Sequence, residues 1–371
     1  MSFYDERDLP APVDERWPGD RDELRECIAE ADGSDPPLAL IGGGEHVRPE
    51  LLEGTDYVAV RTEEVDEVLS VDGYSGRTRV EAGCRWGKLR ERLRGEGLSA
   101  RRFALQPSDA TIGGLLARNQ PLEPERGEGQ IAQNCIALSS VGPTEAEYGY
   151  LPAPRKASGP DFRYVYIGGE GALGAILDAT LVTPPRREAR LIAAEAEGFE
   201  QAVGVHEQMR RLGLSPDWSY WRMASGRLEC AFHGPEALVE AACEDLRAAV
   251  DTEVEIDGTE AALDRRRELE DDHPARRSLS AADRALDATW RRSELAEVLA
   301  MSDVELEDVL IWSWARRRVR GCVKAGADRG SLEPFTRAAV DRPSGDEGEG
   351  EAWYEGVKQK IDPGDVLVDV S

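Results

Sequence analysis

The sequence predicts an α+β fold in two parts, on three observations. In the first half, short apolar and β-branched runs alternate with helix-length segments, but some runs follow one another as hairpins, which argues against a doubly wound parallel sheet. Three stretches, at residues 42–44, 113–114 and 168–174, place glycines directly after a strand-like or turn-forming segment. After Pro184-Pro185 the pattern changes to long amphipathic helices and paired strands.

Residues 1–20 are polar, rich in Pro and Asp, and are expected to form an extended lead-in. Glu23 to Ala31 has helical spacing with Leu24 and Ile28 on one face, and Asp32 to Pro37 stops it. Leu38 to Ile41 is a buried strand feeding the glycine turn. Tyr57 to Val60 and Thr78 to Glu81 read as strands, and Trp86 to Glu96 as a helix ended by Gly97. Tyr164 to Ile167 is taken as a strand, and Ala175 to Thr183 as its hairpin partner, closed by the proline pair. The first domain is therefore bounded at 21–186 and the second at 187–371.

In the second part, Phe199 to Leu212 is a helix ended by Gly213. Tyr220 to Met223 and Arg227 to His233 are paired strands, and Glu236 to Val250 is another helix. Residues 257–308 are highly charged and helical in tendency, which marks a solvated face. Leu310 to Cys322 resumes strand character, and Asp341 to Glu351 is a loop of Pro, Ser, Gly and acids.

Glycines let the backbone approach a ligand with no side chain in the way, and successive bare amides make a concavity suited to a pyrophosphate. Gly169 to Gly174 satisfies G-x-G-x-x-G. That motif signals a dinucleotide site only when a helix opens on it, and the Ala175 to Thr183 run is β-branched and stopped by proline. Three glycine segments in order instead suggest a chain wrapped around an extended phosphate-bearing cofactor.

The net charge of −27, with 46 basic against 73 acidic residues, argues against a nucleic-acid binder. Lysine occurs only at Lys88, Lys156, Lys324, Lys358 and Lys360, the other basic residues being arginine. Acidic surplus with scarce lysine fits a halophilic protein, because molar salt shortens the Debye length to ~3 Å and makes self-repulsion tolerable. The cysteines form no C-x-x-C pair, which argues against an iron–sulfur or zinc centre and for reduced cytoplasmic thiols. No leader-like start and no apolar run of membrane-spanning length is present, so a cytoplasmic location is expected.

The order of these segments resembles the flavin-binding domain of the vanillyl-alcohol oxidase and p-cresol methylhydroxylase superfamily. The resemblance rests on Ile41 to His46, Thr78 to Leu89, Pro107 to Asn119, Arg155 to Phe162 and Gly168 to Ile176, in unbroken order over roughly residues 20–185. Within it, the chain looks most like glycolate oxidase flavoprotein subunits and D-lactate dehydrogenases, and Val357 to Leu367 resembles the segment that closes such proteins. The implied fold is a two-subdomain FAD-binding domain followed by a smaller ferredoxin-like α+β domain. The β-α-β-β-α-β order expected there is compatible with the sequence.

Carried over residue by residue, the resemblance implies FAD contacts at Ile41, Gly42, Gly43, Gly44, Glu45 and His46 for the pyrophosphate. It implies Pro107, Ser108, Ala110, Thr111, Ile112, Gly113 and Gly114 along the flavin, Ile176 near the adenine, and Asn119, Gly171 and Gly174 as further cofactor-binding positions. The implied reaction is oxidation of a small 2-hydroxy acid or alcohol by hydride transfer to flavin N5. Some relatives attach FAD covalently through a histidine directly after the triple glycine; here Glu45 holds that place, so FAD is expected to be noncovalent.

Two departures bear on catalysis. The His-x-Gly-Asp-Gly-Asn-x-His and Glu-His-Gly segments of the lactate- and glycolate-oxidising subunits, which supply metal ligands and base, are missing, and no metal is expected. His233 is then the one histidine considered as a proton acceptor, with an ordinary loop histidine as the bland reading. Pro121 to Asn134 also departs, with Asn134 where the family has Asp. Arg316, Arg318 and Arg320 alternate along one predicted strand and are candidate carboxylate clamps, the bland reading being an edge strand. The alternative function is a non-catalytic FAD-binding subunit of a glycolate oxidase-like complex, assembled with an iron–sulfur subunit and a second flavoprotein.

Overall fold

The structure is a computed structural model that describes residues 9–31, 36–44, 47, 49–99, 109–119, 131–144, 147–149, 152–153, 161–196, 198–214, 216, 218–222, 225–250, 252–271, 284–289, 306–313 and 318–323. The chain divides into two units, the break falling between Arg186 and Arg187.

The first unit opens on β1 (Asp14–Arg16), α1 (Arg21–Ala29), β2 (Leu38–Ile41), α2 (Pro49–Leu52) and β3 (Val58–Arg61). The three strands form a parallel sheet in the order β1-β3-β2. The lead-in thus contributes a strand, which its Asp-Glu-Arg composition does not signal. Helix α1 starts at Asp20, whose carboxylate accepts from the Asp22 and Glu23 amides at 2.8 and 2.9 Å and so satisfies donors the helix itself cannot. Its apolar face buries Leu24 and Ile28 completely, against Leu38, Val58 and Val60. Removing the Leu24 side chain is expected to cost about 2–5 kcal/mol, by lost transfer energy and an unfilled cavity.

Next come β4 (Ser70–Asp72), β5 (Arg77–Glu81), α3 (Trp86–Gly95), α4 (Ile112–Ala117), β6 (Cys135–Val141), β7 (Glu147–Gly149), α5 (Arg163–Tyr166) and β8 (Ala175–Val182). The strands make an antiparallel sheet in the order β4-β5-β8-β6-β7. Trp86, Leu89 and Leu93 of α3 and Ile112, Leu115 and Leu116 of α4 pack on Val80, Leu138, Ala179 and Leu181 of the sheet. Helix α3 ends at the predicted glycine, Gly97, with φ +69°. Cys84 and Cys135 lie in this core, and burial pushes both thiols up to about 12, so they are unreactive acids at neutral pH.

Tyr164 to Ile167 is not a strand. Arg163–Tyr166 is a helical turn, and β8 has no edge to offer it, because β5 and β6 occupy both sides. The turn is pinned by Arg163, whose guanidinium donates to the Asp161 carboxylate and, through Nη1, to the Cys135 carbonyl.

The second unit contains β9 (Ala189–Glu195), α6 (Phe199–Arg211), β10 (Trp218–Arg222), β11 (Arg227–His233), α7 (Glu236–Ala249) and β12 (Val254–Asp257). The strand order β12-β9-β11-β10, antiparallel throughout, is the ferredoxin-like arrangement. Met209, Val239, Cys243 and Leu246 from the helices close one face over Ile192, Leu228 and Phe232. Helix α8 (Thr259–Asp271) follows, and Arg265 donates two hydrogen bonds, 2.9 and 2.8 Å, to the buried Glu229 carboxylate.

The sheet continues past β10 through β14 (Leu306–Ser313), β15 (Arg318–Val323) and β13 (Arg284–Thr289). Two expectations are corrected here. The charged segment 257–308 is not helical throughout, since it contains β13, where Asp287 is the register partner of Arg320. Leu310 to Cys322 is two strands rather than one, and β15 lies inside the sheet between β14 and β13 rather than at its edge.

Candidate functional site

The glycine segments of the first unit meet at one cleft, enclosing about 800 Å³ of space, part of it open to solvent. Its base is the carboxyl end of β2, where Leu40 and Gly42 to Gly44 turn away from the sheet, Gly44 with φ +74°. One wall is Ala82, Ala110, Thr111 and the start of α4; the other is Gly171, Gly174, Ala175 and Ile176 at the entry to β8. Leu40 touches the second wall and Gly42 the first: an ideal Cβ on Gly171 lies 3.7 Å from Leu40 Cβ, and one on Gly42 lies 2.3 Å from Thr111 Oγ1. The β2 turn is therefore the middle of the cleft.

The amides in the two glycine-rich segments are used differently. At α4, Ile112 N–H donates to the Cys84 carbonyl at 2.9 Å and Gly113 N–H to the Ala82 carbonyl at 2.7 Å. Gly114 N–H donates to the Thr111 hydroxyl at 3.2 Å, the N-cap of the helix. Those donors are consumed by the protein itself. At the β2 turn, no hydrogen bond among the described residues uses the amides of Gly42, Gly43 or Gly44, and Gly43 and Gly44 are buried. Buried, undonated amides grouped at a strand end are a fitting receptor for an anion.

Of the residues predicted from sequence, Gly42, Gly43, Gly44, Ala110, Thr111, Gly113, Gly114, Gly171, Gly174 and Ile176 line this cleft. Ile41 and Ile112 do not; both are fully buried in the cores on either side. Asn119 does not line it either. It takes a left-handed conformation, φ 45°, and its Oδ1 accepts from Ala132 N–H at 3.4 Å, tying the end of α4 to the turn at Ile131–Gln133. Glu45, His46, Pro107, Ser108 and Arg316 lie outside the described residues, as do Arg155 to Pro160 and Val357 to Leu367. His233 ends β11 of the second unit opposite Ala189, and Arg318 and Arg320 belong to β15, as register partners of Thr289 and Asp287.

Several lining residues were not anticipated. Tyr166 was assigned to a strand, and Thr62, Arg118 and Glu170 were not singled out as cofactor contacts. Arg118 and Glu170 are the charged side chains among the lining residues. Beside the cleft, Arg85 donates to Glu63 at 2.8 Å and Asp109 at 3.4 Å, fixing the approach to Thr111, with which Arg85 makes an isolated bridge. Among the described residues, no cluster of His, Cys, Asp or Glu could hold a metal ion, and no helix is long and apolar enough to cross a membrane.

A mixed parallel and antiparallel pair of sheets, with glycine turns converging on undonated amides, defines a phosphate-cofactor-binding α+β domain. Residues 16–145 match the family model described as FAD binding domain, and that segment is the FAD-binding domain expected from the sequence. Alkyldihydroxyacetonephosphate synthase of Caenorhabditis elegans is 24% identical over 198 residues, 52% of this chain and 33% of that protein, so the match spans about a third of the relative's length. Two structures of alkyldihydroxyacetonephosphate synthase, in different crystal forms, superpose with TM-scores of 0.73 and 0.71 at 15% identity. Each superposition covers 95% of this chain, and they cover 76% and 75% of those chains. The structural likeness is one of fold. None of these relatives is a glycolate or lactate oxidase.

Proposed function

We propose that this chain is an FAD-linked oxidoreductase acting on a small 2-hydroxy acid of the glycolate or lactate type. The observation that supports the cofactor site is the set of undonated amides at Gly42, Gly43 and Gly44, central in a cleft walled by glycine and small apolar residues. In this reading those amides hold the pyrophosphate. Ala110, Thr111, Gly113 and Gly114 pack along the flavin half, and Gly171, Gly174 and Ile176 along the adenine half. Leu40, Val47 and Leu115 exclude water from the cleft between them. When bound, FAD supplies a two-electron acceptor. Glu45, directly after the third glycine, leaves the attachment noncovalent.

The alternative is an FAD-binding subunit without an active site of its own, working with an iron–sulfur subunit and a second flavoprotein. Its support is chemical. Abstraction of a hydroxyl proton calls for a base such as a neutral imidazole, and the histidine-bearing segments of the lactate- and glycolate-oxidising subunits are missing from the sequence. The relative's name adds a further ligand class, alkyldihydroxyacetone phosphate, the compound which that protein is named for making.

Anaerobic addition of glycolate, D-lactate or alkyl-dihydroxyacetone phosphate to the flavin-loaded protein separates these readings. Bleaching by either hydroxy acid alone supports the first. A spectrum that no hydroxy acid changes, until other subunits are supplied, supports the alternative. A response confined to the phosphate ester rejects the hydroxy-acid assignment.

A further inference from the structure

Asp178 is buried in β8, two residues past Ile176 of the cleft wall. A buried carboxylate needs cations beside it. Arg79 of β5 supplies one through two contacts, Nε to Oδ1 at 2.7 Å and Nη2 to Oδ2 at 2.8 Å. The other is Arg21, the first residue of α1, whose Nη1 lies 3.0 Å from Asp178 Oδ2 while its Nη2 donates to Glu147 of β7. One guanidinium therefore reaches from β8 to β7 past β6, which lies between them. The helix dipole is positive at the first turn, so a cation there is placed against local preference. Its placement is explained by what it binds.

Helix α1 packs on the parallel sheet, whose strand β2 carries the glycine turn, while β8 opens with Ala175 and Ile176 of the cleft wall. The two sheets share an apolar cluster in which Leu24, Ile28 and Leu38 meet Val141, Ala175 and Leu177. Apolar contact is non-directional and leaves such surfaces free to slide. A guanidinium fork on carboxylates fixes both distance and direction. We propose that Arg21 is a positioning residue for the cofactor cleft: by holding Asp178 and Glu147 together it sets the separation between the β2 turn and the wall at the start of β8. This rests on the FAD reading of the cleft, although Arg21 is not among the lining residues. A ligand that spans turn and wall must find them at a fixed distance, so losing the fork weakens binding without removing a contact.

The test measures FAD affinity and apoprotein melting temperature for wild type, Arg21→Gln, Arg21→Lys, Asp178→Asn and the Arg21→Gln/Asp178→Asn double variant. Arg21→Gln is expected to stay folded and to lose about tenfold in FAD affinity, because the supporting shell of the site is loosened. Arg21→Lys, which keeps the charge but not the fork, is expected to recover part of that loss. If Arg21 acts through Asp178, the double variant should bind FAD no more weakly than the weaker single one. Unchanged affinity in Arg21→Gln would overturn the proposal, even with a lower melting temperature, since the ion pair would then serve stability alone. Losses that multiply in the double variant would overturn it too. Should Asp178→Asn fail to fold, the two Arg21 variants decide. Wild-type protein that takes up no FAD would instead remove the reading on which the proposal rests.

Discussion

A Cβ built on Gly42 lies 2.3 Å from the hydroxyl oxygen of Thr111, far inside any tolerated contact. The first glycine of the turn is therefore demanded by the protein, because the N-cap of α4 is seated directly on it. Gly113 is similar: its Cβ would fall 2.9 Å from Ala82 Cβ and 3.0 Å from the Ala82 carbonyl oxygen. Substitutions here act on folding before they act on any ligand. Gly42→Ala and Gly113→Val are expected to lower apoprotein stability by about 1–3 kcal/mol, through overpacking. Gly43→Val, on the cleft itself, is expected to lose flavin with a smaller loss of stability. Melting temperature and flavin occupancy, measured on all three, separate the two effects.

This division was only half legible in the sequence. Leu38 to Ile41 is an unbroken apolar run between a proline pair and three glycines, and α1 shows Leu24 and Ile28 one turn apart, so both elements could be read directly. That the Gly113 amide is spent on the Ala82 carbonyl could not, because packing of α4 against the end of β5 brings that carbonyl there. The helical turn at Arg163–Tyr166 was hidden for a related reason: its aromatic and β-branched residues suit a strand, and only the pairing of β8 on both edges denies it one. Glu170, left-handed at φ 52°, was invisible because nothing in a glycine-rich string announces it.

The Glu81 carboxylate gives a pH prediction. Burial raises its pKa above the ordinary 4.5, against a hydrogen bond donated by the Glu67 amide, and the neighbouring Glu67, Asp178 and Asp66 add to the rise. The folded state therefore holds this proton more tightly than the unfolded chain. Its stability contribution is greatest below the unfolded value and is lost as pH rises through the folded one. Glu81→Gln, which keeps an acceptor for Glu67 N–H, is expected to raise the melting temperature at pH 7. That gain should shrink as pH falls toward 4.5. Melting curves of both proteins across that range check the sign, and a gain that grows on acidification would refute it.

With a net charge of −27, the folded chain repels itself, and screening ions should stabilise it. Thermal unfolding from low to molar KCl is expected to move upward steadily. A melting point that stays flat or falls with salt would reject the halophilic reading.

The central claim is that the cleft at the end of β2 holds FAD noncovalently on the amides of Gly42 to Gly44. The most direct measurement is flavin content of the protein purified in high salt, before and after acid precipitation, for wild type and Gly43→Val. The account predicts a yellow wild-type protein that releases its FAD into the acid supernatant, and a folded Gly43→Val protein with little or none. A colourless wild type that takes up no added FAD, or a Gly43→Val protein that retains a full complement, would contradict it.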